Sequence, residues 1–409
     1  MHAKPILLPV IAFLFCTAGC ANNHVEPTAT GDTTSLPPVE KNNPNTNYKP
    51  AFAGQTRIGS VKTVTPYEVE KIAEGMSNPW AITPMPDGRF LVTMKSGYME
   101  IHNASGALVK KITGFPSVDF NGQGGMLDVA FDPSFASNKI IYWSYSEKYG
   151  EGNLTAVAKG KLNETSGTVE NPVVIFRATP ALKSSAHFGS RLIFDKDGSL
   201  FVSAGERSIP EGRAQAQLLG AGLGKIFKIT PEGKPAPGNP FVNKAGAMPE
   251  IFAYGVRNPQ GLDINPATGE LWESEFGPRG GDEINIIRAG KNLGWPVITY
   301  GIEYSGGKVG DGIQQKSGLE QPVYYWDPVI SPSGICFYKG DAIPEWKNNL
   351  FVSALSGQHI DRLIIKNNKV VGEERLLADK NERFRDLAYT NEMLYAITDG
   401  GSMYRISKK

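Results

Sequence analysis

The sequence predicts an all-β fold, a six-bladed β-propeller with four-stranded antiparallel blades. Three observations predict it: a strand motif that recurs six times, a turn-rich composition, and the lack of amphipathic helical patterns of useful length. The motif is a turn-forming or polar pair followed by alternating apolar and polar residues. It runs Asp87-Gly88-Arg89-Phe90-Leu91-Val92-Thr93 in the first case and Asn138-Lys139-Ile140-Ile141-Tyr142-Trp143-Ser144 in the second. It returns at Asp197–Ser203, Thr268–Ser274, Asn348–Ser353 and Asn391–Thr398. The strand anchors are Phe90, Ile141, Leu200, Leu271, Leu350 and Leu394, and their gaps are widest between Leu200 and Leu350. The extra length there predicts loops over one face. A strand near Val64 to Ile72 is expected to join the last blade and close the ring. The 46 glycines and 29 prolines supply the turns.

The N-terminus reads as a targeting segment. Lys4 precedes the apolar run Ile6 to Phe15 and then Cys16-Thr17-Ala18-Gly19-Cys20, a run too short to span a bilayer. The segment resembles a bacterial lipoprotein signal, residues 1–19, with Cys20 lipidated. Ala21 stands where aspartate would signal inner-membrane retention, so the expected address is the cell envelope: a periplasm-facing lipoprotein of the outer membrane. Ordinary cleavage to a soluble periplasmic protein is the alternative. Residues 20–56 are rich in Asn, Thr and Pro with few large apolar side chains, which predicts a disordered tether. Residues 57–409 form the expected propeller. With Cys16 removed and Cys20 acylated, Cys336 is left alone, a buried thiol without a disulfide partner. A net charge of +1 excludes a global field for nucleic acid.

Several segments carry chemistry-bearing residues. His187, in Ala186-His187-Phe188-Gly189-Ser190-Arg191, lies on a loop before an alternating strand, as a proton acceptor or as an ordinary loop histidine. Glu206 follows at that hairpin's far end, able to hold the second ring nitrogen or to pair with Arg207 at the surface. Arg257-Asn258-Pro259 puts a guanidinium beside an amide on a stiff loop, for carboxylates or quinone oxygens, or as a solvated turn. In Glu275-Phe276-Gly277-Pro278-Arg279-Gly280-Gly281-Asp282-Glu283, backbone carbonyls and carboxylates suit Ca2+, although acidic turns without metal are common. Gly122-Gln123-Gly124-Gly125 allows close approach of a ligand or is a plain glycine turn, and lacks the setting of a phosphate loop. Arg383 and Arg385 share one side of an extended segment, to grip a multi-carboxylate ligand or to face solvent.

Together and in order, from about Glu68 to Ile406, these segments and Asn292-Leu293-Gly294-Trp295-Pro296 resemble the soluble aldose sugar dehydrogenases that depend on pyrroloquinoline quinone (PQQ). The resemblance implies oxidation of an aldose at C1 to the lactone, with PQQ and Ca2+ as cofactors and His187 as base. It implies Gln123, Arg257, Asn258, Tyr304, Arg383 and Arg385 as quinone contacts, and Gly277 and Pro278 as carbonyl ligands of a cofactor-bound Ca2+. It further implies Glu283 and the Leu293 carbonyl as part of a second Ca2+ site. Arg257 and Glu206 complete the expected catalytic set. The sequence departs from the family pattern at Glu206, where an aspartate is expected, at Ser356, in place of a lysine, and at Ala186, in place of an acid. Insertions that shape dimer contacts look shorter, which predicts a monomer. The expected partners are an aldose and an electron acceptor of unspecified identity. A non-catalytic propeller binding sugar or protein, or a Ca2+-dependent lactonase, are the alternatives.

Overall fold

The structure, a computed structural model, describes residues 1–2 and 36–409. The lipoprotein signal and Cys20 lie outside the described residues. Six four-stranded antiparallel sheets form the blades. The first strand, β1 (Tyr67–Ala73), belongs to the last blade. Blade 1 is β2 (Pro79–Pro84), β3 (Phe90–Met94), β4 (Tyr98–His102) and β5 (Leu108–Ile112). Blade 2 is β6 (Met126–Phe131), β7 (Ile140–Tyr149), β8 (Gly152–Asn163) and β9 (Thr168–Arg177). Blade 3 is β10 (Gly189–Phe194), β11 (Leu200–Ala204), β12 (Lys225–Ile229) and β13 (Ile251–Tyr254). Blade 4 is β14 (Pro259–Ile264), β15 (Leu271–Glu275), β16 (Asp282–Ile287) and β17 (Tyr324–Trp326). Blade 5 is β18 (Pro332–Phe337), β19 (Leu350–Ala354), β20 (His359–Lys366) and β21 (Lys369–Leu376). Blade 6 is β22 (Phe384–Thr390), β23 (Met393–Thr398), β24 (Met403–Lys408) and, outermost, β1.

All six repeats of the sequence motif become the second strand of a blade, and all six anchors are buried. The preceding pairs supply the positive φ that a tight hairpin needs. Gly88, Gly198 and Gly269 do so without strain, while Lys139, Asn348 and Asn391 adopt the left-handed region as ordinary side chains. The expected closing strand is present: β1 pairs with β24, from Tyr67 opposite Lys408 to Ala73 opposite Met403. The first strand in sequence thereby locks the last blade.

Adjacent inner strands belong to different sheets, so their facing N–H groups need other acceptors. Three aspartates provide them in alternate seams. Asp128 accepts from the Leu192 N–H at 2.8 Å, Asp263 from Phe337 at 2.7 Å and Asp386 from Ile82 at 2.9 Å. Arg191 lies across the central channel. Its Nε donates to the Gln260 carbonyl at 2.5 Å, its Nη2 pairs with Asp386 at 3.0 Å, and its guanidinium stacks 4.2 Å over Trp80. It lines a lower cavity of about 380 Å3, and its partners Trp80 and Gln260 line an upper one of about 170 Å3.

Of the expected tether, residues 20–35 lie outside the described residues, and residues 36–56 differ from the expectation. From Leu36 the chain is a strap bonded to the propeller, with Pro38 bridging Gly59 and Glu40 pairing with Arg375 at 2.9 Å. Asp327 accepts from the Asn45 and Thr46 N–H groups at 2.7 and 3.0 Å and from both their side chains. Gln55 is fully buried and donates to the Pro322 carbonyl at 2.9 Å. Composition reads Asn, Thr and Gln as solvated. Here they are the partners of buried carboxylates and carbonyls, an interaction that apolar content does not report.

Candidate functional site

The loops entering the inner strands and those joining second to third strands meet at one mouth of the channel. His187 stands immediately before β10 with φ 50°, and Glu206 follows β11. His187 Nδ1 and Glu206 Oε1 are 2.6 Å apart, and both side chains are buried. The His187 N–H donates to Gln123 Oε1 at 2.8 Å, which ties the glycine turn to the histidine. Burial and the Arg257 charge push the imidazole pKa down to about 4, Arg207 adds to this, and Glu206 opposes it. The ring is therefore neutral at neutral pH, and its Nε2 makes no hydrogen bond to protein among the described residues.

Arg257 and Asn258 lie between β13 and β14. Both N–H groups point at one carboxylate oxygen of Glu275. The Arg257 guanidinium lies 5.1 Å over Trp295 and donates to the carbonyls of Phe276 at 3.0 Å and Gly277 at 2.7 Å. Its carbonyl accepts the Glu206 N–H at 2.9 Å, so Glu206 joins His187 to Arg257 through one residue. Asn258 Oδ1 is used by the Gly189 N–H at 3.1 Å and by Gln260. Arg257 Nε and Asn258 Nδ2 are buried donors without a protein acceptor.

Arg383 and Arg385 flank Phe384 at the start of β22, on one side as period two requires, and both hold Asp399 at 2.9 and 2.8 Å. Burial would raise the Asp399 carboxyl, but Arg385 and Arg383 keep it below its ordinary value. Both arginines line the upper cavity, with Gln123, Trp80, Gln260 and Lys95. Tyr304 does not line that cavity. It is 71% exposed, beside Glu303, which pairs with Arg213.

The Gly277–Glu283 turn is braced from within. Asp282 accepts from the N–H groups of Gly277 at 2.7 Å, Ile330 at 2.8 Å and Ser331 at 2.7 Å. Burial lifts its pKa to about 7. Asp282 thus holds the turn. The Gly277 carbonyl, expected to face Ca2+, already accepts from Arg257, which leaves one lone pair free. Glu283, Glu275 and Glu273 surround the Asn285 amide, which donates to them at 3.2, 3.4 and 3.1 Å. Burial raises all three carboxyls; the Glu275 charge adds to the rise at Glu273 and Glu283, and Glu206 to that at Glu275, which reaches about 7. A void of about 10 Å3, the room of a single water or ion, lies between Glu275, Glu283, Leu293 and Trp295. Glu273 Oε1 and Asn285 Oδ1 are buried without partners. The oxygen chemistry suits a hard cation. Among the described residues no group of three or more His, Cys, Asp or Glu side chains is arranged as a complete metal site.

The profile of the glucose/sorbosone dehydrogenase family matches residues 76–405. The chain belongs to this family. It is 39% identical over 347 residues to the aldose sugar dehydrogenase YliI of Escherichia coli, covering 83% of this chain and 93% of that one. The apo crystal structure of the soluble E. coli aldose sugar dehydrogenase superposes with a TM-score of 0.80 at 38% identity, covering 84% of this chain and 100% of the other. A PQQ-bound aldose sugar dehydrogenase of Streptomyces coelicolor superposes with a TM-score of 0.70 at 27% identity, covering 85% and 99%. The protein is thus an oxidoreductase of the sugar dehydrogenase type with the fold expected of it.

Two residues at this mouth carry no sequence signal of their own. Arg207, read as a surface partner for Glu206, is 1% exposed and stacks 3.8 Å over Phe188. It donates to carbonyls of Ala186, Ser184 and Asn153, bracing the loop that carries His187. Lys95 is an isolated lysine between β3 and β4.

Proposed function

We propose that this protein oxidises aldose sugars at C1 to the lactone, using PQQ and Ca2+, with His187 as the base. The observation that carries the reading is the union, at one mouth, of a neutral histidine oriented by Glu206 and a cation-lined cavity. A relative that bears PQQ on the same fold supports it.

Oxidation of the C1 hydroxyl removes a hydride from carbon and a proton from oxygen. His187 Nε2 accepts that proton, because Glu206 holds Nδ1–H and fixes the tautomer. The Glu206 carboxylate then stabilises the imidazolium. Bound PQQ supplies the two-electron acceptor, and Ca2+ the Lewis acid that strengthens it. Arg383 and Arg385 would hold the cofactor's carboxylates, and Arg257 Nε and Asn258 Nδ2, the donors without acceptors, its ring oxygens. Pro278 and the free lone pair of Gly277 suit the cofactor's cation. Glu283 with the Leu293 carbonyl suits the structural one.

The test is reconstitution. Purified protein given PQQ and Ca2+ should retain quinone absorbance through gel filtration and reduce a dye with aldoses. No quinone uptake and no dye reduction overturn the reading. We also infer a monomer tethered to the outer membrane through lipidated Cys20, facing the periplasm. Cys20→Ser should then move it from the membrane to the soluble fraction, and an unchanged distribution counts against the anchor.

A further inference from the structure

The upper cavity carries three cationic side chains, Lys95, Arg383 and Arg385, and no carboxylate in its lining. Asp399 lies behind the two arginines and binds both. Lys95 makes no salt bridge among the described residues: its Nζ donates to the neutral Gly122 carbonyl at 2.9 Å and lies 5.5 Å over the Phe120 ring. Its backbone is fixed on both sides, the N–H donating to Asn78 at 3.0 Å and the carbonyl accepting from Met126 at 2.9 Å. An ammonium held half-buried beside two guanidiniums is electrostatically unfavourable unless something else neutralises it. Burial and the nearby Arg385 charge push its pKa down, and Asp399, already shared by the two arginines, opposes them only in part.

Blade 5 offers no such charge. Ser356, where the family resemblance leads one to expect lysine, is bonded to Ser331 Oγ at 2.8 Å and does not line the cavity. Blades 5 and 1 are the two neighbours of blade 6, which supplies the arginine pair.

We propose that Lys95 is a ligand-binding residue, the third cation of a clamp for the carboxylates of an anionic quinone. The charge missing from blade 5 is supplied from the opposite side of the arginine pair, by blade 1. This rests on the proposed function and adds a binding residue that the sequence motifs do not mark. A planar ligand with several carboxylates matches three cations on two adjacent blades. A neutral sugar would leave Lys95 without a carboxylate and the two arginines sharing the single charge of Asp399.

The experiment is equilibrium binding of PQQ, in the presence of Ca2+, to the full protein, to Lys95→Gln and to Lys95→Arg, read by calorimetry at two salt concentrations. Glutamine retains a donor for the Gly122 carbonyl while removing the charge. Lys95→Gln should bind about tenfold or more weakly, with a shallower salt dependence, and Lys95→Arg close to the native value. Native affinity and native salt dependence in Lys95→Gln overturn the inference, as does a Lys95→Arg variant as weak as Lys95→Gln. In those cases the sugar oxidation reading stands. Failure of the unmodified protein to take up PQQ overturns that reading itself.

Discussion

A histidine whose pKa has fallen to about 4 is poised to accept a proton across the whole neutral range. Turnover in the reconstituted protein should lose its acid limb near pH 4, not near the ordinary imidazole value. His187→Gln should retain quinone uptake and reduce kcat by about 10^2–10^4; a large loss of binding instead would contradict the role of base. Stability follows the same sign. The folded pKa lies below the unfolded one, so the contribution of neutral His187 is full above about 6.5 and is lost as pH falls toward 4. Arg207 is one cause of that depression. Arg207→Met should therefore move the acid limb upward, and Arg207→Lys should move it less; a pH profile with an unmoved limb would leave Arg207 as loop bracing alone. Sequence made His187 and Glu206 visible as candidates, because each sits where a blade's strand ends. It could not separate Arg207 from a surface ion pair, because burial at a loop depends on what packs above it.

At the scale of elements, two connections decide the site. The β16–β17 connection leaves blade 4 and brings Leu293 and Trp295 against the β13–β14 loop, where Leu293 donates to the Tyr254 carbonyl at 2.9 Å and Trp295 to Gly255 at 2.8 Å. The three glutamates beside it repel one another, and their folded pKa values are raised, so apo stability should fall as pH rises through about 7. Ca2+ should then raise Tm more at pH 8 than at pH 6, and Glu283→Gln should remove most of that difference. An equal shift at both pH values would argue against a cation among these carboxylates. The second element is the N-terminal strap. Asp327→Ala deletes the acceptor of four hydrogen bonds and should cost about 2–3 kcal/mol in urea unfolding while exposing residues 36–56 to protease. The strap was not legible in the sequence, since a polar segment that docks through hydrogen bonds has the composition of one that does not dock. The long gap between Leu200 and Leu350 was legible as loop, and part of it does reach the mouth, as Trp295 shows.

For the whole molecule, the blade count was the most legible property. Each repeat carries its own turn signal and its own buried anchor, so the number of blades can be read without knowing any long-range contact. The ring closure was also legible, because a strand-forming segment preceded the first repeat and needed a partner. The meeting of Lys95 with Arg383 and Arg385 was not: they are adjacent only because a closed ring puts blade 1 beside blade 6. The same closure gives Arg191 its reach across the axis, from β10 to Asp386 on β22 and to Trp80 on β2. A side chain laid across the channel at mid-height favours approach from the mouth that holds His187. If the proposed oxidation holds, whatever arrives at the histidine and whatever leaves it would share that side of the ring, so substrate, product and electron acceptor would take turns at the threshold.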